Sequence, residues 1–309
     1  MPVDGKPAMI YTLTVNPSLD YMIQVPHFKT GIVNRVISEK YMAGGKGINV
    51  SIMLKNLGVE SVALGFVGGF VGREIEGQLK EKNVRTDFVQ LKNGTSRINV
   101  KLKSEEETDI NAKGPEICKD EIEGLFFKLN GLKENDILVL AGSIPKTLPD
   151  DYYAQIMERL VQKKIQFVVD AENKILMQSL KYRPLLVKPN NFELGQIFNV
   201  ELNTRGDVIP YAKKLRELGA RNVLVSLAGE GAVLVDEHGN VFEKEAPKGK
   251  VLNSVGAGDS MVAGFLSEYL ASSDTERAFL MGLSAGSASA FSDGFATKEM
   301  VVNLFKTLR

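Results

Sequence analysis

Short apolar runs rich in β-branched residues recur along the chain, and stretches with helical spacing of apolar positions separate them. The strand-like runs are IYTLTV (10–15), SVALGFVG (61–68), DILVLAG (136–142), IQFVVDA (165–171), PLLVKP (184–189) and NVLVSLA (222–228). Several are apolar without alternation, as strands covered on both faces must be. Between them, GINVSIMLKNLG (47–58) and YAKKLRELG (211–219) read as helices closed by Gly58 and Gly219. After residue 250 the pattern turns helical, with apolar runs at 256–271 and 276–291. Strand, helix and strand at this spacing predict an α/β fold, a central parallel sheet with helices on both sides.

Two regions break the rhythm. Residues 20–25 and 33–43, and again 97–102 and 107–110, alternate polar and apolar. Period-two segments with one wet face predict a small antiparallel sheet standing off the main one, a lid. No linker, low-complexity tract or repeat intervenes, so the expectation is one domain over 9–309 with lid segments at about 19–44 and 95–113. Residues 1–8, ahead of a second methionine, are set aside as a leader or expression remnant.

Bulk properties narrow the function classes. The 309 residues carry 38 basic and 38 acidic side chains, so no global charge draws the chain to nucleic acid or an anionic membrane. Anion binding must then be local. A lone cysteine, Cys118, rules out an internal disulfide framework and suits a reducing, cytoplasmic setting. Two histidines, His27 and His238, leave little for a histidine metal site or a Ser-His-Asp triad, and His238 falls in the turn-like DEHGN.

Four stretches carry candidate chemistry. In VGAGDS (255–260), Gly256, Ala257 and Gly258 bare the backbone ahead of a helix. Its free N–H groups and positive dipole end would form an anion hole, with Asp259 poised to accept a hydroxyl proton. The competing reading is that Asp259 or Ser260 merely caps the helix. AGGKGINVS (43–51) opens another helix on glycines, yet Lys46 is followed by Gly47, so it is no Walker loop, and the dinucleotide fingerprint spacing fails. In VKPNNFELG (187–195), Asn190 and Glu193 form either a water-mediated Mg²⁺ site or a capping box. Arg97 in SRINV (96–100) would fork onto a phosphate or stand as a solvated charge. Each bland reading competes alone; together the four call for a nucleotide at one site and a sugar at another.

The ordered set VNPSLD (15–20), GGKGINVS (44–51), AGSIP (141–145), VKPNNFEL (187–194), SLAGEGA (226–232) and VGAGDS (255–260) resembles the PfkB carbohydrate kinases, which have a ribokinase-like fold. The resemblance spans residues 9–309. NPSLDY, GGKGINVS and SRINVKL…ETDINAKGPEI are most similar to the 1-phosphofructokinase branch, with tagatose-6-phosphate kinases as near neighbours. It implies ATP- and Mg²⁺-dependent phosphorylation of the 6-hydroxyl of D-fructose 1-phosphate. Asp259 would be the base, and the N–H groups of Gly256, Ala257 and Gly258 the anion hole. Asp20, Gly45 and Asn49 would hold sugar hydroxyls, with Ser143 nearby. Arg97, helped by Lys46 and Arg35, would anchor the phosphate already on the substrate. Lys188, Asn190 and Glu193 would serve the ATP phosphates and Mg²⁺, while Ser226, Gly231 and Ser287 would line the nucleotide pocket. The resemblance also implies a possible homodimer through the lid. A non-catalytic sugar-phosphate sensor and a dehydrogenase are the rivals; the retained Asp259 speaks against the first, the missing fingerprint against the second.

Overall fold

The first half of the chain runs β1 (Ile10–Thr14), β2 (Ser18–Gln24), β3 (Ser38–Gly44), α1 (Lys46–Leu57), β4 (Ser61–Val67), α2 (Gly69–Glu81), β5 (Arg85–Thr86), β6 (Val89–Gln90), β7 (Arg97–Lys103), β8 (Glu107–Ile110) and α3 (Lys119–Leu129). The second half adds β9 (Ile137–Ala141), α4 (Tyr152–Leu160), β10 (Gln166–Asp170), α5 (Asn173–Ser179), β11 (Leu186–Val187), α6 (Asn191–Phe198), α7 (Arg205–Glu217), β12 (Asn222–Ser226), β13 (Ala232–Val235), β14 (Val241–Lys244), α8 (Ala257–Ser272), α9 (Thr275–Ala290) and α10 (Lys298–Leu308). The computed structural model describes residues 8–309, so the expected leader lies, Ala8 apart, outside the described residues.

The large sheet has the order β14-β13-β12-β11-β10-β9-β1-β4-β5, with β6 also paired to β4. It is parallel except where β13 and β14 fold back as hairpins. Successive strand residues feed opposite cores. Leu138 and Leu140 pack with α3–α7, whereas Ile137, Val139 and Ala141 pack with α1 and α8–α10. That two-sided burial explains the unbroken apolar runs. The expected α/β sandwich is the observed one.

The four period-two segments form a second sheet in the order β3-β2-β7-β8. Its outer pairs are antiparallel, but β2 and β7 pair in parallel, Ser18 opposite Arg97 through Gln24 opposite Lys103. The expectation of a wholly antiparallel small sheet thus fails at its centre. β2 and β7 come from separate passages of the chain rather than one hairpin, and alternation cannot report strand direction. Residues 33–37, expected in a strand, are loop.

Element boundaries deviate where local chemistry misleads. α7 begins at Arg205, before the expected 211, because Thr204 and Asp207 form a capping box and Pro210 sits within the helix. β11 keeps only two residues of the expected 184–189. His238 lies in the turn joining β13 to β14, where Asp236 accepts from the His238 and Asn240 amides.

Candidate active site

The parallel strands point their C-terminal ends at one edge, where a doubly wound sheet offers its ligand crevice. Asp170 is the last residue of β10, Lys188 follows β11, and Ser226 ends β12. Helices α1 and α8 start at the same edge, and both do so on glycine. Gly45 has φ 117°, and a Cβ there would sit 2.6 Å from Thr14 Cγ2. Gly256 has φ 79°, with Phe295 2.7 Å from the place a Cβ would take. Both positions suit glycine alone, which is why these helices begin on bare backbone.

Neither Asp259 nor Ser260 caps α8: the N-cap is Gly256, with no side-chain cap bond. Asp259 is instead 5% exposed and accepts from Asn49 Nδ2 at 2.7 Å. Burial first, then the nearby Asp170 carboxylate, push its carboxyl up to about 6, against the pull of Lys46, the Asn49 amide and Lys188. Of the expected anion-hole donors, the Ala257 N–H already reaches Ser254 O at 3.2 Å. Gly256 and Gly258 keep N–H groups with no acceptor among the described residues.

Asp170 went unmarked as a site residue in the sequence. Its carboxylate takes Lys46 Nζ at 2.7 Å on Oδ1 and Lys188 Nζ at 3.2 Å on Oδ2. Burial opposes its charge, but Lys188 and Lys46 outweigh it and hold the carboxyl below the usual carboxylate range. Burial likewise opposes the Lys46 ammonium, while Asp170 and Asp259 outweigh it and raise its affinity for the proton. The signal was available: an acid closing an apolar strand at the ligand-bearing edge.

A second cluster lies at the small sheet. Asp20 Oδ1 accepts from Ser18 Oγ at 2.7 Å and from Asn99 Nδ2 at 2.9 Å. Asn99, also unmarked in the sequence, accepts from the Ala112 amide at 3.2 Å. Asp20 and Asn49 share a small recess with Asn253, Val255, Gly294 and Phe295. Arg97 donates to Asn16 O at 3.1 Å and Ala112 O at 3.2 Å. Burial lowers its pKa while Asp20 opposes that shift. No carboxylate pairs with it among the described residues, so the half-buried cation lacks a counter-ion.

The remaining expected residues scatter. Lys46 reaches Asp170 rather than Arg97, and Arg35 is exposed on the β2–β3 loop with no hydrogen bond to either. Asn190 and Glu193 do form the capping box, each side chain bonded to the other's backbone N–H at 2.8 Å. Glu193 also lines a cavity of about 420 Å³ with Ser143, Asp150 and Glu172. Ser143 therefore opens beside Glu193 rather than in the recess of Asp20 and Asn49. Ser226 bridges to Asn190, and Gly231 closes the turn after it with φ 96°. Ser287 lies on α9, which packs along α8. Among the described residues no three His, Cys, Asp or Glu side chains gather as a direct metal cage.

An acid beside an open helix N-terminus, with a second polar recess under a small sheet, is a phosphotransferase arrangement. The model of the pfkB family of carbohydrate kinases matches residues 14–300, and the chain belongs to that family, with ATP as its phosphoryl donor. It is 45% identical to the 1-phosphofructokinase of Bacillus subtilis, over 97% of this chain and 99% of that one. It is 37% identical to the D-tagatose-1-phosphate kinase of Bacillus licheniformis, over 93% and 94%. Phosphofructokinase-2 from Escherichia coli, solved with substrates and products, superposes with a TM-score of 0.91 at 30% identity, covering 97% and 99%.

Proposed function

We propose that the chain is a 1-phosphofructokinase, transferring the γ-phosphoryl of ATP to the 6-hydroxyl of D-fructose 1-phosphate and releasing fructose 1,6-bisphosphate. The single observation that carries this reading is Asp259, buried and bonded to Asn49, beside N–H groups at the start of α8 that have no partner among the described residues. The 45% identity over nearly the whole chain supports the choice of substrate.

In this reading Asp259 takes the proton of the 6-hydroxyl as its oxygen attacks the γ-phosphorus. The bond to the β–γ bridging oxygen breaks and ADP leaves. The Gly256 and Gly258 N–H groups meet the charge on the transferring phosphoryl, which has little covalent chemistry to borrow from the protein. Asp20, Gly45 and Asn49 orient the sugar, and Arg97, a cation without a carboxylate partner among the described residues, takes its 1-phosphate. Lys188 serves the ATP phosphates, while Ser226, Gly231 and Ser287 line the nucleotide side. Arg35, exposed on the β2–β3 loop, would join Arg97 on the substrate phosphate.

Mg²⁺ neutralises charge on the ATP phosphates when bound. Glu193 and Asn190 fit it through water: Glu193 keeps one carboxylate oxygen off the capping box, Asn190 keeps one lone pair on its single side-chain oxygen, and Mg²⁺ retains several waters. The small sheet acts as a lid that limits ATP hydrolysis by water. Tyr41 and Ile110 on its strands and Ile32, Val33 and Ile37 on the β2–β3 loop are apolar and exposed, which supports a homodimer through the lids. Light scattering should return about 68 kDa, twice the 33.9 kDa chain; a monomer mass at working concentration removes the dimer. The family and the single unpaired cysteine support a cytoplasmic setting, and among the described residues no helix is long and apolar enough to cross a membrane.

Release of ADP with a panel of fructose 1-phosphate, fructose 6-phosphate, tagatose 1-phosphate and tagatose 6-phosphate tests the reading. Fructose 1-phosphate should give the highest kcat/KM. A higher value for tagatose 1-phosphate would transfer the chain to the activity named for its 37%-identical relative, and no ADP with any sugar would make it a sensor. The pH profile follows from Asp259. A base works ionised, so kcat/KM should fall as pH drops through about 6. An acid limb near 4 would show an unperturbed carboxylate instead.

A further inference from the structure

We infer that Asp170 is a positioning residue of the phosphoryl subsite, and that through it Lys46 acts on the transferring phosphoryl rather than on the phosphate the sugar already carries. This rests on the kinase reading above. The geometry carries it. Asp170 is 1% exposed and sits between two ammonium groups, at 2.7 Å and 3.2 Å. Lys46 begins α1 and Lys188 follows β11, so one carboxylate ties together cations from two elements. Lys188 Nζ lies 3.1 Å from the place a Cβ would take on Gly258, which sets it against the open end of α8. Lys46 lies over Gly142, whose N–H donates to the Asp170 carbonyl, and it faces Asp170 and not Arg97.

Oδ2 of Asp170 has no aligned hydrogen-bond donor among the described residues although Lys188 lies within ion-pair range. The pair is held by charge and leaves N–H bonds of Lys188 for another acceptor. Asp170 and ionised Asp259 balance the two ammonium groups, so the cluster gains a net positive charge only as Asp259 takes the hydroxyl proton, when the phosphoryl transfers. Asp170 thus holds buried Lys188 and half-buried Lys46 together at the start of α8. The charged groups facing Asp259 are Lys46 from α1, Asp170 from β10 and Lys188 after β11.

The test compares Asp170→Asn and Lys46→Met with the wild type on the sugar phosphate that the wild type turns over fastest. Both variants should lose about 10–100-fold in kcat, with KM for the sugar phosphate within about twofold. The acid limb of the rate profile should move in opposite directions. Losing the Asp170 charge should carry it to lower pH, and losing the Lys46 charge should carry it to higher pH. Unmoved limbs, or a KM rise for the sugar phosphate with kcat kept, would overturn the inference. Should Asp170→Asn fail to fold, Lys46→Met decides alone. Its affinity for a non-hydrolysable ATP analogue should drop about tenfold, a readout that needs no turnover. Unchanged analogue affinity would sink the role of Lys46, whereas a wild type without turnover on any sugar would sink the kinase reading instead.

Discussion

Asp259→Asn is expected to cut turnover by about 10²–10⁴-fold while leaving ATP affinity nearly intact and making the protein more stable. The loss follows from removing the base, because an amide cannot accept the hydroxyl proton. The gain follows from burial. The folded carboxyl is raised from 3.8 to about 6, so its ionised form is disfavoured in the native state. Stability is therefore unaffected below the unfolded value and falls as pH rises from about 4 to 6. Above that the cost is about 3 kcal/mol, from roughly two units at 1.36 kcal/mol each. Asparagine keeps the shape and can still meet Asn49 without the charge. A melting temperature several degrees above wild type at pH 7, measured beside kcat, would match this account. Unchanged turnover would remove Asp259 from the mechanism, and a lower melting temperature would mean that its charge is structural.

Arg97→Ala is expected to raise KM for the sugar phosphate by about 10²-fold while KM for ATP stays within about threefold. A desolvated Arg–phosphate contact is worth about 2–4 kcal/mol, which sets that size. Arg97 also ties down Asn16 and Ala112 through their carbonyls, so alanine should cost some stability as well. Arg97→Lys separates the two effects. It keeps the charge, loses the fork, and should recover only part of the affinity. Equal rises for both substrates would make Arg97 a strut for Asn16 and Ala112 and not the anchor of the sugar phosphate.

The main sheet was legible because its strands are covered on both faces, and two-sided burial writes itself as unbroken apolar runs such as IQFVVDA. The small sheet was legible as alternation, but not the parallel pairing of β2 with β7, since period two is blind to direction. The start of α7 was hidden by Pro210, which reads as a break although Thr204 and Asp207 had already fixed the helix entry. Within the site, Gly45 and Gly256 announced themselves because only glycine satisfies those backbones. Asp170 and Asn99 did not. Their roles exist only through partners 124 and 79 residues away, Lys46 and Asp20, and no local spacing encodes such meetings. Lys46 shows the same limit from the other side: a glycine-rich neighbourhood suggested a phosphate, but only the fold decided which carboxylate it faces.

The scheme stands or falls on which sugar oxygen the buried acid addresses. A crystal structure with fructose 1-phosphate and a non-hydrolysable ATP analogue decides it directly. The 6-hydroxyl oxygen should lie about 3 Å from the Asp259 carboxylate, with the 1-phosphate on Arg97 and the γ-phosphoryl at the Gly256 and Gly258 N–H groups. A sugar bound the other way round, its 6-hydroxyl on Arg97 and its phosphate at the start of α8, would contradict the account.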